Sequence, residues 1–85
     1  MEFEWDTANE HKLNVINGHR GIGKDEIESV FDDPFRIERP NKSEIEDRFE
    51  TIGLSNHNRI IIVIFTKRNG KIRYVTAWEQ SSRVR

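Results

Sequence analysis

The feature that most constrains this fold is an apolar run, Ile60 to Phe65, that is followed closely by an Asn-Gly pair. Asn69-Gly70 favours a two-residue hairpin turn, because such a turn needs positive φ at both central positions. The β-branched stretch Arg59 to Thr66 predicts a central strand covered on both faces. Lys71 to Trp78 is then the antiparallel return strand. Its alternation predicts one shared face made of Ile72, Tyr74, Thr76 and Trp78.

Weaker patterns predict the rest of an α+β fold. Phe3 to Asp6 alternates apolar and acidic residues like a short edge strand, and Arg48 to Leu54 alternates like a half-buried one. Thr7 to Ile16 and Lys24 to Phe31 have helical composition and spacing, whereas Pro40 to Ser43 is predicted to be a loop. We therefore expect an N-terminal short strand and two helices packed on a three- to four-stranded antiparallel β-sheet.

The size and composition of the chain limit what it can be. Its 85 residues predict a single domain over 1–85, with 79–85 as a frayed tail, because a chain this short buries only roughly 60–65% of its unfolded surface. It has no cysteine, which excludes disulfides and thiolate metal sites. No long apolar segment or basic leader is present, so we expect a cytoplasmic protein without a membrane association. Walker, zinc and esterase motifs are also missing.

Charge is distributed unevenly along the chain. Residues 1–50 hold seven Lys/Arg and fourteen Asp/Glu, a balance of −7, while residues 51–85 hold seven and one, a balance of +6, and the sum is the net −1. A basic half can mark a surface that binds nucleic acid, since Lys and Arg displace counterions from phosphates. The alternative is that the two halves neutralise each other across the fold.

Several short motifs together resemble the BrnT family of bacterial toxins. The N-terminal ones are Phe3-Glu4-Trp5-Asp6, Asn9 with Glu10-His11-Lys12, His19-Arg20-Gly21-Ile22 and Glu26 to Asp33. The later ones are Asn41-Lys42-Ser43, Glu46-Asp47-Arg48, Ile52-Gly53, Arg59 with its apolar strand, and Ile72 to Ala77. The order of strand, two helices and antiparallel meander is also similar to RNA-cleaving toxins of the RelE type. The resemblance covers residues 3 to 78.

The resemblance implies a metal-independent endoribonuclease toxin of a type II toxin-antitoxin system, which inhibits translation and needs no cofactor. Its partner would be a small DNA-binding antitoxin, through which alone it would reach operator DNA. Two departures point to an alternative. Trp78 stands where the family commonly has Arg, and the family's basic C-terminal helix is missing or truncated. A catalytically degenerate homologue would bind the antitoxin in operon autoregulation, and a plain RNA-binding module is a third interpretation.

Metal-free RNA cleavage needs a group that takes the 2′-hydroxyl proton, cations for the charged phosphorane and an acid for the 5′-oxygen. By this resemblance and chemistry, the expected catalytic residues are His19, Glu46, Arg48 and Arg73. The expected RNA-binding residues are Lys12, Arg20, Arg59 and Tyr74. Each has a purely structural alternative, such as a solvated surface position for His19, Glu46 and Lys12. For Arg73 it is a cross-strand salt bridge with Glu46, Glu50 or another carboxylate.

Overall fold

Five strands and two α-helices form the fold in a computed structural model that describes residues 2–18, 20–41 and 47–80, with no side-chain description for 16 and 17. The strands are β1 (Glu2–Phe3), β2 (Ile37–Asn41), β3 (Arg48–Leu54), β4 (Ile60–Arg68) and β5 (Lys71–Glu79). The helices are α1 (Thr7–Lys12), which continues as a π-helical turn over Leu13–Asn17, and α2 (Lys24–Val30). The α+β class and the two helices are therefore confirmed.

The sheet has one strand more than the sequence predicted, and it is mixed. Its order is β1-β5-β4-β3-β2, with β1 parallel to β5 and all other neighbours antiparallel. The additional strand is β2, because the loop predicted at Pro40 and Asn41 is wrong for those two residues; Lys42 and Ser43 lie outside the described residues. Pro40 is tolerated since β2 is an edge strand, where a missing N–H breaks no ladder.

The central hairpin forms as predicted. Arg68 pairs with Lys71, and the two turn residues Asn69 and Gly70 have φ values of 54° and 76°. Positive φ at both positions gives the turn a twist that matches the strands. The Asn-Gly pair thus fixes the register at the closed end of the hairpin.

A β-bulge changes the register further along β5. Ile64 pairs with Thr76 but the next residue, Phe65, pairs with Tyr74, so Val75 is an extra residue without a partner. Because side chains alternate along a strand, one extra residue moves every later side chain to the opposite face. Tyr74 and Ala77 therefore both enter the core, and the predicted face shared by Tyr74 and Trp78 is wrong. Trp78 is 37% exposed.

The core lies between the two helices and one face of the sheet. Its β4 residues are Ile61, Val63 and Phe65, which pack against Ile27, Val30 and Phe31 of the α2 region. The opposite face of the sheet, which we call the outer face, carries the alternate β4 positions Ile60, Ile62, Ile64 and Thr66. Because Ile60 is 40% exposed there, β4 is central in the sheet but is not fully covered on both faces.

The N-terminal motif joins β1 to α1 and to the core. The Phe3 ring meets Phe31 edge-on at 4.9 Å between centroids, and Trp5 Nε1 donates to Glu28 Oε2 at 2.7 Å. Asp6 is the N-cap of α1, because its carboxylate accepts from the Asn9 backbone N–H while the Asn9 side chain accepts from the Asp6 N–H. This reciprocal capping box fixes where the helix starts.

Close packing at Gly53 provides a test of this arrangement. A Cβ on Gly53 would lie 2.9 Å from Arg36 Cβ and 3.2 Å from Val30 Cγ1. We expect Gly53→Ala to lower the free energy of unfolding by about 1–3 kcal/mol, because the contact with Arg36 involves its Cβ, next to the backbone, and Val30 belongs to the core. Urea denaturation measures this change.

The matched control is Gly23→Ser. A Cβ at Gly23 meets open space, and serine at the N-cap of α2 can accept a hydrogen bond from the first turn. This variant should be at least as stable as the original chain. Equal destabilisation of both variants would contradict the packing at Gly53.

Candidate functional site

A small cationic cleft lies where α1 passes the edge of β5. Its volume is about 160 Å³. It is lined by Ala8, Asn9, Lys12, Arg48, Thr66, Arg68, Arg73, Tyr74 and Val75. Four of these nine residues are Lys or Arg, and none of the described lining residues is acidic. The cleft therefore suits an anion of about the size of a phosphate group.

Arg73 is a cation of the cleft that forms ion pairs with two carboxylates. Its guanidinium forms ion pairs with Asp6 at 2.9 Å and with Glu4 at 3.2 Å, so both acidic residues of the N-terminal motif contact it. Hydrogen bonds to these carboxylates raise the pKa of Arg73. The pKa of Asp6 is lowered, first by the backbone N–H of Asn9 and then by Arg73. The predicted structural alternative for Arg73 is thus present, with these two partners.

Lys12 and Arg68 are the exposed cations of the cleft. Lys12 ends α1, and Arg68 ends β4 just before the hairpin turn. Within the described ranges, neither side chain forms an ion pair with a carboxylate. Arg48 approaches from β3, so cations from three separate elements converge on one site. Their electrostatic repulsion favours binding of an anion.

Tyr74 forms part of the cleft wall but belongs mainly to the core. It is 4% exposed, and its ring tilts against Trp5 with centroids 5.6 Å apart. Burial raises the pKa of Tyr74 to about 12, although the Thr76 side chain and the Arg20 charge act in the opposite direction. Among the described residues, no donor or acceptor is positioned to form a hydrogen bond with the Tyr74 hydroxyl. The ring is therefore poorly placed to stack on a base.

Arg59 lies outside the cleft, in a buried polar cluster. Its Nε and one terminal nitrogen each donate to the Glu26 carboxylate at 2.7 Å, and a terminal nitrogen also donates to the Gly21 carbonyl at 2.7 Å. Ser55 Oγ donates to Glu26 at 2.6 Å. Glu26 is 2% exposed, and its pKa is lowered chiefly by the hydrogen bonds from Arg59. This cluster ties α2 to the loop between β3 and β4.

Arg20 lies beside β5, between the cleft and the far end of the strand. Its guanidinium donates to the Ala77 carbonyl at 2.6 Å and approaches Thr76 Oγ1 at 3.5 Å. Residue 20 is exposed, so the cation remains accessible to solvent.

The structure brings four of the predicted site residues together: Lys12, Arg48, Arg73 and Tyr74. Arg20 and Arg59 lie elsewhere, and His19 and Glu46 fall outside the described residues. Sequence reasoning missed Arg68, which directly precedes the Asn-Gly turn. The available signal was the register of the hairpin, because a two-residue turn pairs Thr66 with Arg73 and alternation puts Arg68 on the same face as Thr66. Within the described ranges, no three His, Asp or Glu side chains group as metal ligands would.

Comparison with known sequences identifies one family. A family described as ribonuclease toxin, BrnT, of type II toxin-antitoxin system matches residues 5–83. This range is most of the 85-residue chain and includes every residue that lines the cleft. No curated protein matches the sequence.

The buried cluster predicts a pH-dependent stability. We expect Glu26→Gln to lower the free energy of unfolding by about 3 kcal/mol at neutral pH, because Arg59 loses its buried counter-charge. Since the folded-state pKa of Glu26 is lowered, its contribution is complete above the unfolded-state pKa and is lost as the pH falls through the folded value. The stability difference between the two proteins should therefore shrink below about pH 4.

Glu10→Gln is the control, because the ion pair of Glu10 with Lys24, at 2.7 Å, lies at the surface. Its cost should stay below about 1 kcal/mol. Chemical denaturation measured from neutral to acidic pH tests both statements. A Glu26→Gln deficit that persists undiminished in acid would show that the charge of Glu26 is not the stabilising factor.

Proposed function

Because the chain belongs to the BrnT family of ribonuclease toxins of type II toxin-antitoxin systems, we propose that it cleaves RNA in its cationic cleft. The observation that carries this proposal is the convergence of Lys12, Arg48, Arg68 and Arg73 on one site of phosphate size. Guanidinium groups bind phosphate oxygens in a bidentate manner and stay charged. Cleavage would inhibit translation and thus arrest growth.

In the proposed reaction, the 2′-oxygen of the RNA attacks the adjacent phosphorus and the 5′-oxygen leaves. Negative charge builds up on the phosphorane oxygens, and Arg48 and Arg73 would stabilise it. Lys12 and Arg68 would bind the phosphates. Arg73 reaches this role only by exchanging at least part of its contact with Glu4 and Asp6 for the substrate phosphate.

Proton transfer is assigned to His19 or Glu46, as in the sequence-based hypothesis. An unperturbed histidine titrates near neutrality, so it can serve as base or acid. Tyr74 is unsuited as a general base, because its pKa of about 12 leaves it protonated at neutral pH. We propose no metal ion in the mechanism.

Membership in a family of type II toxin-antitoxin systems implies that the protein partner is an antitoxin. We propose that it is a small DNA-binding protein that covers the cleft, and that the toxin reaches operator DNA only through it. No helix within the described ranges is long and apolar enough to cross a membrane. We propose that the pair acts in the cytoplasm.

A second candidate function is that of a catalytically degenerate homologue, which binds antitoxin for operon autoregulation without cleaving RNA. The two carboxylates on Arg73 favour it, since they already neutralise the cation that the reaction needs. Mapping new 5′ ends in total bacterial RNA treated with purified protein in EDTA separates the two candidates. Intact RNA from folded protein, together with antitoxin binding, would select the degenerate homologue.

Charge removal in the cleft should weaken RNA binding and cleavage. We expect Lys12→Ala and Arg68→Ala each to lower RNA affinity and to reduce the slope of log K against log salt by about 0.7, because each contact with single-stranded RNA releases counterions. Arg39→Ala is the matched control, since Arg39 is 61% exposed on β2 and pairs with Glu50 away from the cleft. Equal losses from all three variants would show that binding is diffuse and does not use the cleft.

Glu4 and Asp6 compete with RNA phosphate for Arg73, so these two carboxylates should lower the RNA affinity of the original chain. Glu4→Gln removes one of them, so we expect RNA affinity to rise about two- to fivefold. Glu2→Gln is the matched control, because it makes the same change in net charge two residues away, at an exposed position of β1. A similar gain in both variants would mean that only net charge matters, and would remove Arg73 from the binding site.

A further inference from the structure

We infer that Trp78 is a base-stacking subsite for the RNA strand that occupies the cationic cleft. This inference rests on the proposed function, which supplies the RNA. It adds a residue that the reaction chemistry does not require. Its role would be to position the strand and to select for an unpaired base within a few nucleotides of the cleaved linkage.

The β-bulge is what makes Trp78 available. Without the extra residue at Val75, alternation from Ile72 and Tyr74 would turn Trp78 into the core. With it, Trp78 lies on the outer face opposite Ile62 and is 37% exposed. Trp78 pairs with Ile62 of β4, and β4 itself lies between β5 and β3, so the backbone that carries the indole is part of the hydrogen-bonded sheet.

The cleft and Trp78 lie on the same two strands. Thr66 pairs with Arg73 at the cleft, and Ile62 pairs with Trp78. Ile62 and Thr66 are four positions apart on β4, which is about 13 Å along the strand. An extended RNA strand crosses such a distance within a few nucleotides. A phosphate in the cleft and a base on Trp78 can therefore belong to one bound strand.

The path between these two points carries positive charge. Ile64 and Thr76 form the pair between them, and Arg20 contacts Thr76 at the edge of β5. Along this stretch of β4 and β5, from residues 62 to 66 and 73 to 78, the sequence contains no acidic residue. An RNA backbone on this path would meet no carboxylate of β4 or β5, and binders of single strands likewise combine positive charge with aromatic rings. Glu50 of β3, which pairs in register with Ile64, is held by Arg39 at 2.7 Å.

The neighbouring apolar residues are Ile62, Ile52 and Ile37, which follow Trp78 in register across the sheet. This row would also suit a protein partner. The aromatic residue, however, lies on β5, which also carries Arg73 of the cleft and which Arg20 contacts, whereas Ile37 is three strands away. Aromatic rings offer every base a stacking surface. The position of the ring therefore favours RNA at Trp78.

Binding of a 2′-O-methylated oligouridine, which cannot be cleaved through its 2′-oxygen, tests the inference. We expect Trp78→Leu to weaken affinity about tenfold and Trp78→Phe to retain most of it, because leucine keeps the apolar surface but loses the aromatic face. The salt dependence should stay unchanged, since no phosphate contact is lost. Leu54→Ala is the control on the same face of β3, and it should bind normally.

A second measurement reports on the ring directly. The chain has two tryptophans, so Trp5→Phe leaves Trp78 as the single fluorophore. Stacking of a base on Trp78 should quench the tryptophan emission. In a titration with the oligouridine, the midpoint of this quenching should equal the dissociation constant. The same oligonucleotide made abasic at successive positions should lose the quenching at one position only.

The outcomes separate this inference from the proposed function. If Lys12→Ala and Arg68→Ala weaken RNA binding but Trp78→Leu does not, the stacking subsite is overturned and the cleft remains the binding site. No RNA binding by the original chain would overturn both. Equal losses of RNA affinity from Trp78→Leu and Leu54→Ala would show that the aromatic ring has no special role and would overturn the inference. If Trp78→Leu weakened antitoxin binding alone, the apolar row would belong to a protein partner, which would also overturn it.

Discussion

The extra residue at Val75 is the constraint on which both faces of the sheet depend. Before the bulge, Ile72 and Tyr74 of β5 point into the core and Arg73 lines the cleft. After it, Ala77 lies in the core and Trp78 lies on the outer face. Without the bulge, the large indole would compete for the space in which Ala77 is fully buried. The bulge therefore allows a small core residue and an exposed aromatic ring to follow Tyr74 on a single strand.

Ion pairing is the second organising interaction, and it explains the uneven charge of the sequence. Among the residues that the structure describes, acidic side chains of the first half meet basic side chains of the second half in three places. Glu4 and Asp6 contact Arg73, Glu26 contacts Arg59, and Glu38 contacts Lys67. Such pairing accounts for much of the opposite balance of the two halves. Within the described residues it leaves Lys12 and Arg68 without carboxylate partners, so the local charge of the cleft says more about function than the basic half as a whole.

The sequence predicted the elements whose signals are local. The bounds of β3, the Asn-Gly turn and both helices follow from alternation, turn chemistry and spacing, all of which act over a few neighbouring residues. It missed β2, because Pro40 is a loop signal that only an edge position overrides. It also missed the bulge, because Val75 has the composition of an ordinary strand residue and is displaced only by its pairing with β4. Arg59 matches the family pattern, yet its contacts with Glu26 became visible only when residues 33 positions apart were placed together.

The N-terminal motif shows how one segment can serve both the fold and the site. Phe3 and Trp5 pack against Phe31 and Tyr74, while the alternate residues Glu4 and Asp6 contact Arg73. Asp6 also caps α1, the helix that brings Lys12 to the cleft. The carboxylates that oppose phosphate binding at Arg73 are thus attached to the segment that builds the cleft wall. Since ion pairs with solvent-accessible carboxylates such as Glu4 and Asp6 stabilise by at most about 1 kcal/mol each, a bound phosphate can displace them without unfolding that wall. The same contacts can therefore hold Arg73 in position before RNA arrives and release it when RNA binds.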